Sequence, residues 1–214
     1  MRRGVITAAA MSAILSIACH DGDRPLEPGS PPDPCVQTPC SPQAVIDHLV
    51  AAYRTSSFPL FDPLLHDDYV FYAHSQEPLE WDRFEELRVH RRMFDRSVIH
   101  IPEPVMPPPL RIYCTWTPVI PFEPMLDLYP PPFPVYDPAR WSFFRAVFST
   151  VAVFVPTATV GGRQYVVVAQ DLTKARGEPG AYTLFAWQDL GPPGADDRLT
   201  WTEIKRLWGG HMVY

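Results

Sequence analysis

The sequence offers a small set of side chains that can do proton chemistry. Tyr72 and His74 fall on one face of a strand expected over Asp68–Ser75, together with Val70. His90 and Arg91 lie in a helix expected over Trp81–Phe94, Arg91 within the stripe of Phe84, Leu87 and Phe94 and His90 on its flank. Tyr113, Trp116 and Asp171 sit in further segments that read as strands. A histidine within reach of a tyrosine or an aspartate can act as a general base, because its ordinary pKa lies close to neutrality. The structural alternatives are equally concrete. A histidine near a strand end faces water, an arginine buries its stem and solvates its head, and aromatic groups on a sheet fill a core with a satisfied polar tip.

Other chemistries find little support. His66, Asp67, Asp68 and His74 do not follow a metal-ligand spacing, and paired aspartates before a strand read as a solvated turn, so no metal is expected. Arg88, Arg91 and Arg92 read as a charged outer face. The phosphate-cradling glycine loops, the nucleophile elbow and the zinc-protease helix motif are all missing from the sequence. No cofactor is therefore expected. The 214 residues carry 18 Lys and Arg against 24 Asp and Glu, a formal charge of −6, which argues against nucleic acid as a partner.

The first residues read as an address. Arg2 and Arg3 precede an uncharged, mostly apolar stretch from Gly4 to Ile17, the layout of an export signal over residues 1–18. Leu15-Ser16-Ile17-Ala18-Cys19 resembles the lipobox of bacterial lipoproteins, in which the cysteine becomes the lipid-bearing N-terminus. It departs from that pattern in having Ser16 where leucine is preferred, with Leu15 one position earlier. The resemblance implies lipidation at Cys19, a membrane partner reached through that lipid, and residence in the bacterial cell envelope, at the outer membrane or the periplasmic face. Cleavage there removes two arginines and no acid, so an anionic membrane surface adds nothing; acyl chains at about 0.8 kcal/mol per buried CH₂ must do the holding. Residues 19–40 are polar and proline-rich, as a tether is. An oxidising compartment allows a disulfide, and Cys35 and Cys40 are close enough in sequence to close a small loop. Cys114 then remains as a buried thiol, or pairs with either of them.

The elements that position these groups follow from patterning. Ser41-Pro42 opens a helix whose Val45, Ile46, Leu49, Ala52 and Tyr53 form one apolar stripe. A turn and short helix fill Ser56–His66. Asp82 and Glu85 start the third helix in the manner of a capping box. The span 102–138 is dense in the chain's 27 prolines and reads as an insertion of loop or edge structure. Trp141–Val155 reads as a long strand, apolar on both faces, with Trp141, Phe143, Val147 and Val151 on one and Phe144, Phe148 and Phe154 on the other. It turns at Gly161-Gly162 into a partner strand, Arg163–Leu172. Tyr182–Leu190 is a further strand, and Thr200-Trp201-Thr202-Glu203 caps a short last helix. The order predicts an α+β fold with helices on one face of a curved, mostly antiparallel sheet.

Three segments, Ala44–Tyr53, Phe61–Phe71 and Trp81–Leu87, with the ending Phe185–Leu190 and Thr200–Lys205, resemble the nuclear transport factor 2-like, or SnoaL-like, superfamily and its uncharacterised secreted members. The resemblance covers residues 41–208 without the proline-rich insertion and leaves 209–214 as a tail. It implies a cone-shaped sheet with about three helices on one face, a short C-terminal helix, and a pocket in the cone. Members that isomerise steroids need a carboxylate base and a tyrosine donor; here Ala73 and Leu49 fall at those positions, and only Asp171 matches a third polar place. The expected function is thus an envelope protein that binds a small apolar ligand or a protein partner without catalysis. The alternatives are a lyase or isomerase using a pocket histidine with Tyr or Asp, and a structural module that forms a homodimer.

Overall fold

The computed structural model describes residues 35, 37–72, 80–95, 109–122, 136–153, 159–190 and 205, of which 159–161 as backbone only. All belong to one unit, Asp33–Tyr214. The export signal, Cys19, the tether as far as residue 34 and His74 lie outside the described residues, as does the last helix apart from Lys205.

Helix α1 (Pro42–Thr55) begins where the Ser41 hydroxyl accepts the Ala44 N–H at 3.1 Å, and Pro42 occupies a first-turn position that needs no donor. It ends at Ser56, whose φ of 49° allows its N–H to return to the Ala52 and Tyr53 carbonyls. Val45, Ile46, Leu49, Ala52 and Tyr53 are buried, as their spacing predicts. A short α2 (Phe58–Phe61) and a 3₁₀ turn (Asp62–Leu64) lead into β1 (Leu65–Tyr72). Strand β2 (Glu80–Asp82) precedes α3 (Arg83–Phe94), capped by Asp82 through the Glu85 N–H at 2.9 Å.

The sheet contains β3 (Arg111–Trp116), β4 (Ile120–Pro121), β5 (Trp141–Val153), β6 (Thr159–Asp171) and β7 (Tyr182–Asp189), in the order β2-β1-β7-β6-β5-β3, with β4 also on β5. Every pair is antiparallel except β1 with β7. The fold is therefore α+β with a mostly antiparallel sheet. No helix among the described residues is long and apolar enough to cross a membrane.

Two sequence expectations are corrected, the glycine turn and the face of the third helix. Gly161 and Gly162 are not the turn; they pair with Val151 and Thr150 inside the ladder, and the connection falls at 154–158, outside the described residues. Within the span 102–138, β3 is an edge strand, as read from the sequence, and pairs along β5 from Arg111–Val153 to Trp116–Phe148. The third helix is rotated about its axis relative to the expected stripe. Phe84 is 71% exposed, and Glu86, Val89, His90, Met93 and Phe94 face inward. Hydrophobicity alone misjudges this face because two of its members are polar.

One side of the sheet packs on the helices through Tyr69, Phe71, Ala146, Phe148, Ala152, Val166, Val168, Leu184 and Trp187. A second cluster, with Tyr72, Phe122, Phe143, Val167 and Phe185, covers part of the opposite side. The two apolar faces expected for β5 are both used: Phe148 lies in the first cluster and Phe143 in the second, although Val151 is 40% exposed. Tyr53 organises the interior, its ring lying 5.4 to 6.4 Å from those of Phe94, Phe61, Phe148 and Trp187.

Truncating Phe148 leaves a cavity between Tyr53 and Trp187. Phe148→Ala is expected to lower unfolding free energy by about 3–5 kcal/mol, whereas Phe84→Ser stays within about 0.5 kcal/mol of wild type. Urea denaturation of both checks this; equal losses would contradict the observed rotation of α3.

Candidate functional site

Two polar constellations stand out. The first is enclosed in the core. His90 is fully buried, and its Nδ1 lies 2.9 Å from the Glu86 carbonyl oxygen, so Nδ1 must donate. Its Nε2, 2.6 Å from the Tyr53 hydroxyl, therefore accepts. Both ring nitrogens are thus used, and the Phe61 ring stacks on the imidazole at 3.9 Å. Burial, reinforced by the Lys205 charge, holds the His90 pKa well below its ordinary value. A histidine so placed is a neutral structural bridge between α1 and α3.

One turn before His90, the Glu86 carboxylate is also fully buried. Its Oε1 accepts from Lys205 Nζ at 2.5 Å. Burial raises the Glu86 pKa, opposed by the Lys205 charge, while burial brings Lys205 down to about 8. The Tyr69 hydroxyl is near enough to influence Glu86 but outside hydrogen-bond geometry, so it and Glu86 Oε2 have no bonded partner among the described residues.

The second constellation is an open pocket of about 440 Å³. It forms where the ladder is broken twice. Leu65 pairs with Leu184 and Val70 with Ala186, so four residues of β1 oppose Phe185 alone. The β6–β7 register shifts at the same place, between Val167 and Val168. Such irregularities re-aim side chains. Here they bring His66, Asp67 and Asp68 to the pocket wall beside Arg83, Arg140, Trp141, Asp171, Lys174 and Thr183.

His66 packs edge-on against Trp141 at 5.0 Å and also meets Phe185 at 4.9 Å. Its Nδ1 accepts the Asp68 N–H at 3.0 Å, which places the proton of the neutral ring on Nε2. Burial lowers its pKa despite Asp68 and Asp67 nearby. Asp171 accepts from Arg140 at 3.0 Å and from the Thr173 hydroxyl at 2.6 Å. Burial alone would raise its pKa, but these donors, with the Thr173 N–H, outweigh it and hold the carboxyl at about 2. Arg83 is paired with Asp62 at 2.6 Å. Lys174 Nζ donates to the Pro179 carbonyl at 2.9 Å, and Gly180, at φ +75°, leaves room for it: a Cβ there would meet Nζ at 2.7 Å. Most charges around the pocket are thus already committed.

The residues expected to form one site are dispersed. His90 is in the core, and Arg91 points outward with its guanidinium 4.8 Å over Phe58, the reverse of the sequence assignment. Tyr72 packs in the outer-side cluster, where burial raises its pKa. Tyr113 is 53% exposed and Trp116 is 36% exposed on the edge strand β3. Of the six that are described, Asp171 alone reaches the pocket, as an ion-paired group and not as a base; His74 lies outside the described residues. His66, Arg140 and Lys205 were not chosen from sequence. His66 carried a signal, its neighbourhood of Asp67 and Asp68, but the break in β1 that gives the trio its place has no sequence mark. Cys35 and Cys40 form a disulfide, and Cys114 is a buried free thiol whose pKa burial pushes up to about 12. Among the described residues no group of three or more His, Cys, Asp or Glu side chains is placed to hold a metal ion.

No family model matches the sequence, and no curated protein matches it. Solved structures with a similar chain trace include the beta subunit of the benzoate 1,2-dioxygenase from Burkholderia mallei, at 15% identity over 69% of this chain and 85% of that one, with a TM-score of 0.44. An NTF2-like protein of unknown function in nutrient uptake from Rhodospirillum rubrum aligns at 14% identity over 70% and 96%, TM-score 0.42. A ketosteroid isomerase-like protein from Erwinia carotovora aligns at 11% identity over 71% and 95%, TM-score 0.40.

The Asp171 cluster gives a pH signature. A carboxyl held at about 2, against an ordinary 3.8, contributes stability that is complete above the ordinary value and lost as pH falls through the lower one. The shift corresponds to at most about 2 kcal/mol, less after solvent screening of the half-exposed Arg140. Unfolding free energy measured across that acid range should therefore fall in wild type, and the slope should be shallower in Asp171→Asn. Identical slopes would show that Arg140 and Thr173 do not hold the charge.

Proposed function

We propose that this chain is a lipid-anchored cell-envelope protein whose α+β domain binds a small polar ligand without transforming it, at the pocket around His66. The observation that carries the reading is the state of the pocket's acids and bases. Asp171 is ion-paired and ionised far below neutrality, and Arg83 and Arg140 are both engaged by carboxylates. Groups tied into ion pairs in this way orient a ligand. His66 remains as a donor at the wall, beside the flat apolar surface of Trp141. Polar donors converging on an aromatic surface suit a compact, polar, ring-containing molecule.

An apolar ligand inside the cone, expected from the family resemblance, has less support, because Tyr53, Phe61, Phe71, Phe148 and Trp187 fill the described interior. The lyase or isomerase alternative loses support in its His90 form, while His74 lies outside the described residues. The histidine that meets a tyrosine, His90, is sealed in that interior with both nitrogens bonded.

Thermal-shift measurements with nucleosides, monosaccharides and aromatic carboxylates as probes are expected to yield at least one compound that raises Tm in wild type. The rise should disappear in both His66→Ala and Trp141→Ala. A rise retained in both variants places binding elsewhere, and none with any probe rejects the ligand class.

The anchoring half of the reading rests on Cys19 and the polar, proline-rich residues after it. Cys19→Ser is expected to move the protein from the membrane fraction to the soluble envelope fraction; unchanged fractionation would refute lipid anchoring.

A second reading, self-association, is favoured by one surface. Tyr113 stands directly opposite Val151 on the edge pair β3–β5, and both are exposed. Light scattering should give a dimer mass that Tyr113→Lys reduces to a monomer mass. A monomer in wild type ends this reading.

A further inference from the structure

We propose that Glu86, Phe71 and Trp187 form a recognition site for a primary ammonium group, which Lys205 fills as an internal ligand and which a free amine occupies once the Lys205 ammonium is removed. The site is assembled by α3, β1 and β7, which contribute one side chain each. Lys205 Nζ meets Glu86 Oε1 at 2.5 Å and lies 3.6 Å from the centre of the Phe71 ring and 4.5 Å from that of Trp187. A carboxylate with two aromatic faces is a general arrangement for binding organic ammonium ions, because the ring faces carry negative charge density and shed little water when covered by a cation.

A second observation points beyond a simple structural ion pair. Glu86 Oε2, the Tyr69 hydroxyl and Trp187 Nε1 are buried and have no hydrogen-bond partner among the described residues. Buried polar groups are normally satisfied. Lys205 neutralises Glu86 but leaves hydrogen-bonding capacity around it unused, so the surroundings are richer than this occupant needs. Other charges near the ammonium are compatible with a cation. Asp189 favours it electrostatically, and His90 is held neutral. Tethering gives Lys205 a high effective concentration, so a free amine competes poorly with it in the intact chain. The proposal does not depend on the His66 pocket, which involves none of these residues.

The test is chemical rescue in the full chain. In Lys205→Ala, methylammonium chloride is expected to raise Tm saturably. Sodium chloride at equal ionic strength should not, nor should methylammonium added to wild type or to Lys205→Ala combined with Glu86→Gln. If Lys205→Ala is unfolded by itself, the readout is recovery of the native near-ultraviolet circular dichroism on adding methylammonium. Lys205→Val, which keeps an apolar stem and empties the outer part of the side chain, is titrated in parallel. No gain in either variant, or an equal gain with sodium chloride or in the double variant, overturns the proposal. Loss of His66-dependent probe binding would leave these outcomes unchanged, so the two readings fail separately.

Discussion

A carboxylate enclosed by aromatic rings is the constraint on which the rest of the interior depends. Glu86 lies fully buried on the inward face of α3, where an unpaired charge would be severely penalised. Lys205, far along the chain, supplies the opposite charge. Removing one partner of such a pair costs about 3–5 kcal/mol, more than the pair contributes over apolar residues of the same size. The contact therefore specifies an arrangement more than it stabilises one: α3 must face the sheet with Glu86 inward, and the residue after β7 that enters the core must be a cation. His90 and Tyr53 extend the same polar line toward α1, so three elements are indexed to one another by hydrogen bonds within an otherwise apolar core.

The same economy separates the two sides of the sheet. Filling the interior with Tyr53, Phe61, Phe148 and Trp187 leaves ligand access to the broken stretch of β1, where His66, Asp67 and Asp68 leave regular pairing with β7. Irregular backbone gives this pocket its geometry, and the ion pairs around it fix its walls. Arg140 exemplifies the division of labour: it bonds Asp171 and lies 4.8 Å over Trp141, holding a charge and a ring in one place.

Much of the fold was legible because it is written in local patterns. Ser41-Pro42 marks the start of α1, Asp82 caps α3, and the β5, β6 and β7 runs are strands as their composition predicts. What failed were positions decided by distant partners. The inward face of α3 was misread because Glu86 and His90 look like surface residues until Lys205 and Tyr53 are placed beside them. Gly161 and Gly162 resembled a turn because two glycines usually are one, yet long-range pairing with β5 carries the strand through them. The site was less legible than the fold. Its residues come from β1, α3, β5, β6, β7 and the turn after β6, and a register break that no short motif encodes gathers them. Among its lining residues, Asp171 is the one that the sequence pattern marks as a site candidate.

The parallel pairing of β1 with β7 also orders events in time. Leu65, near the beginning of the domain, pairs with Leu184, near its end, in the middle of the sheet. Until β7 emerges, β1 has only the three-residue β2 beside it and presents its other edge to whatever is near. Contacts this distant in sequence form slowly, since a long loop must close before they are rewarded. A chain threaded outward from its first residue would thus remain unfinished until nearly all of it had crossed. Under the proposed export, this delayed closure would leave the β1 edge open while the chain crosses.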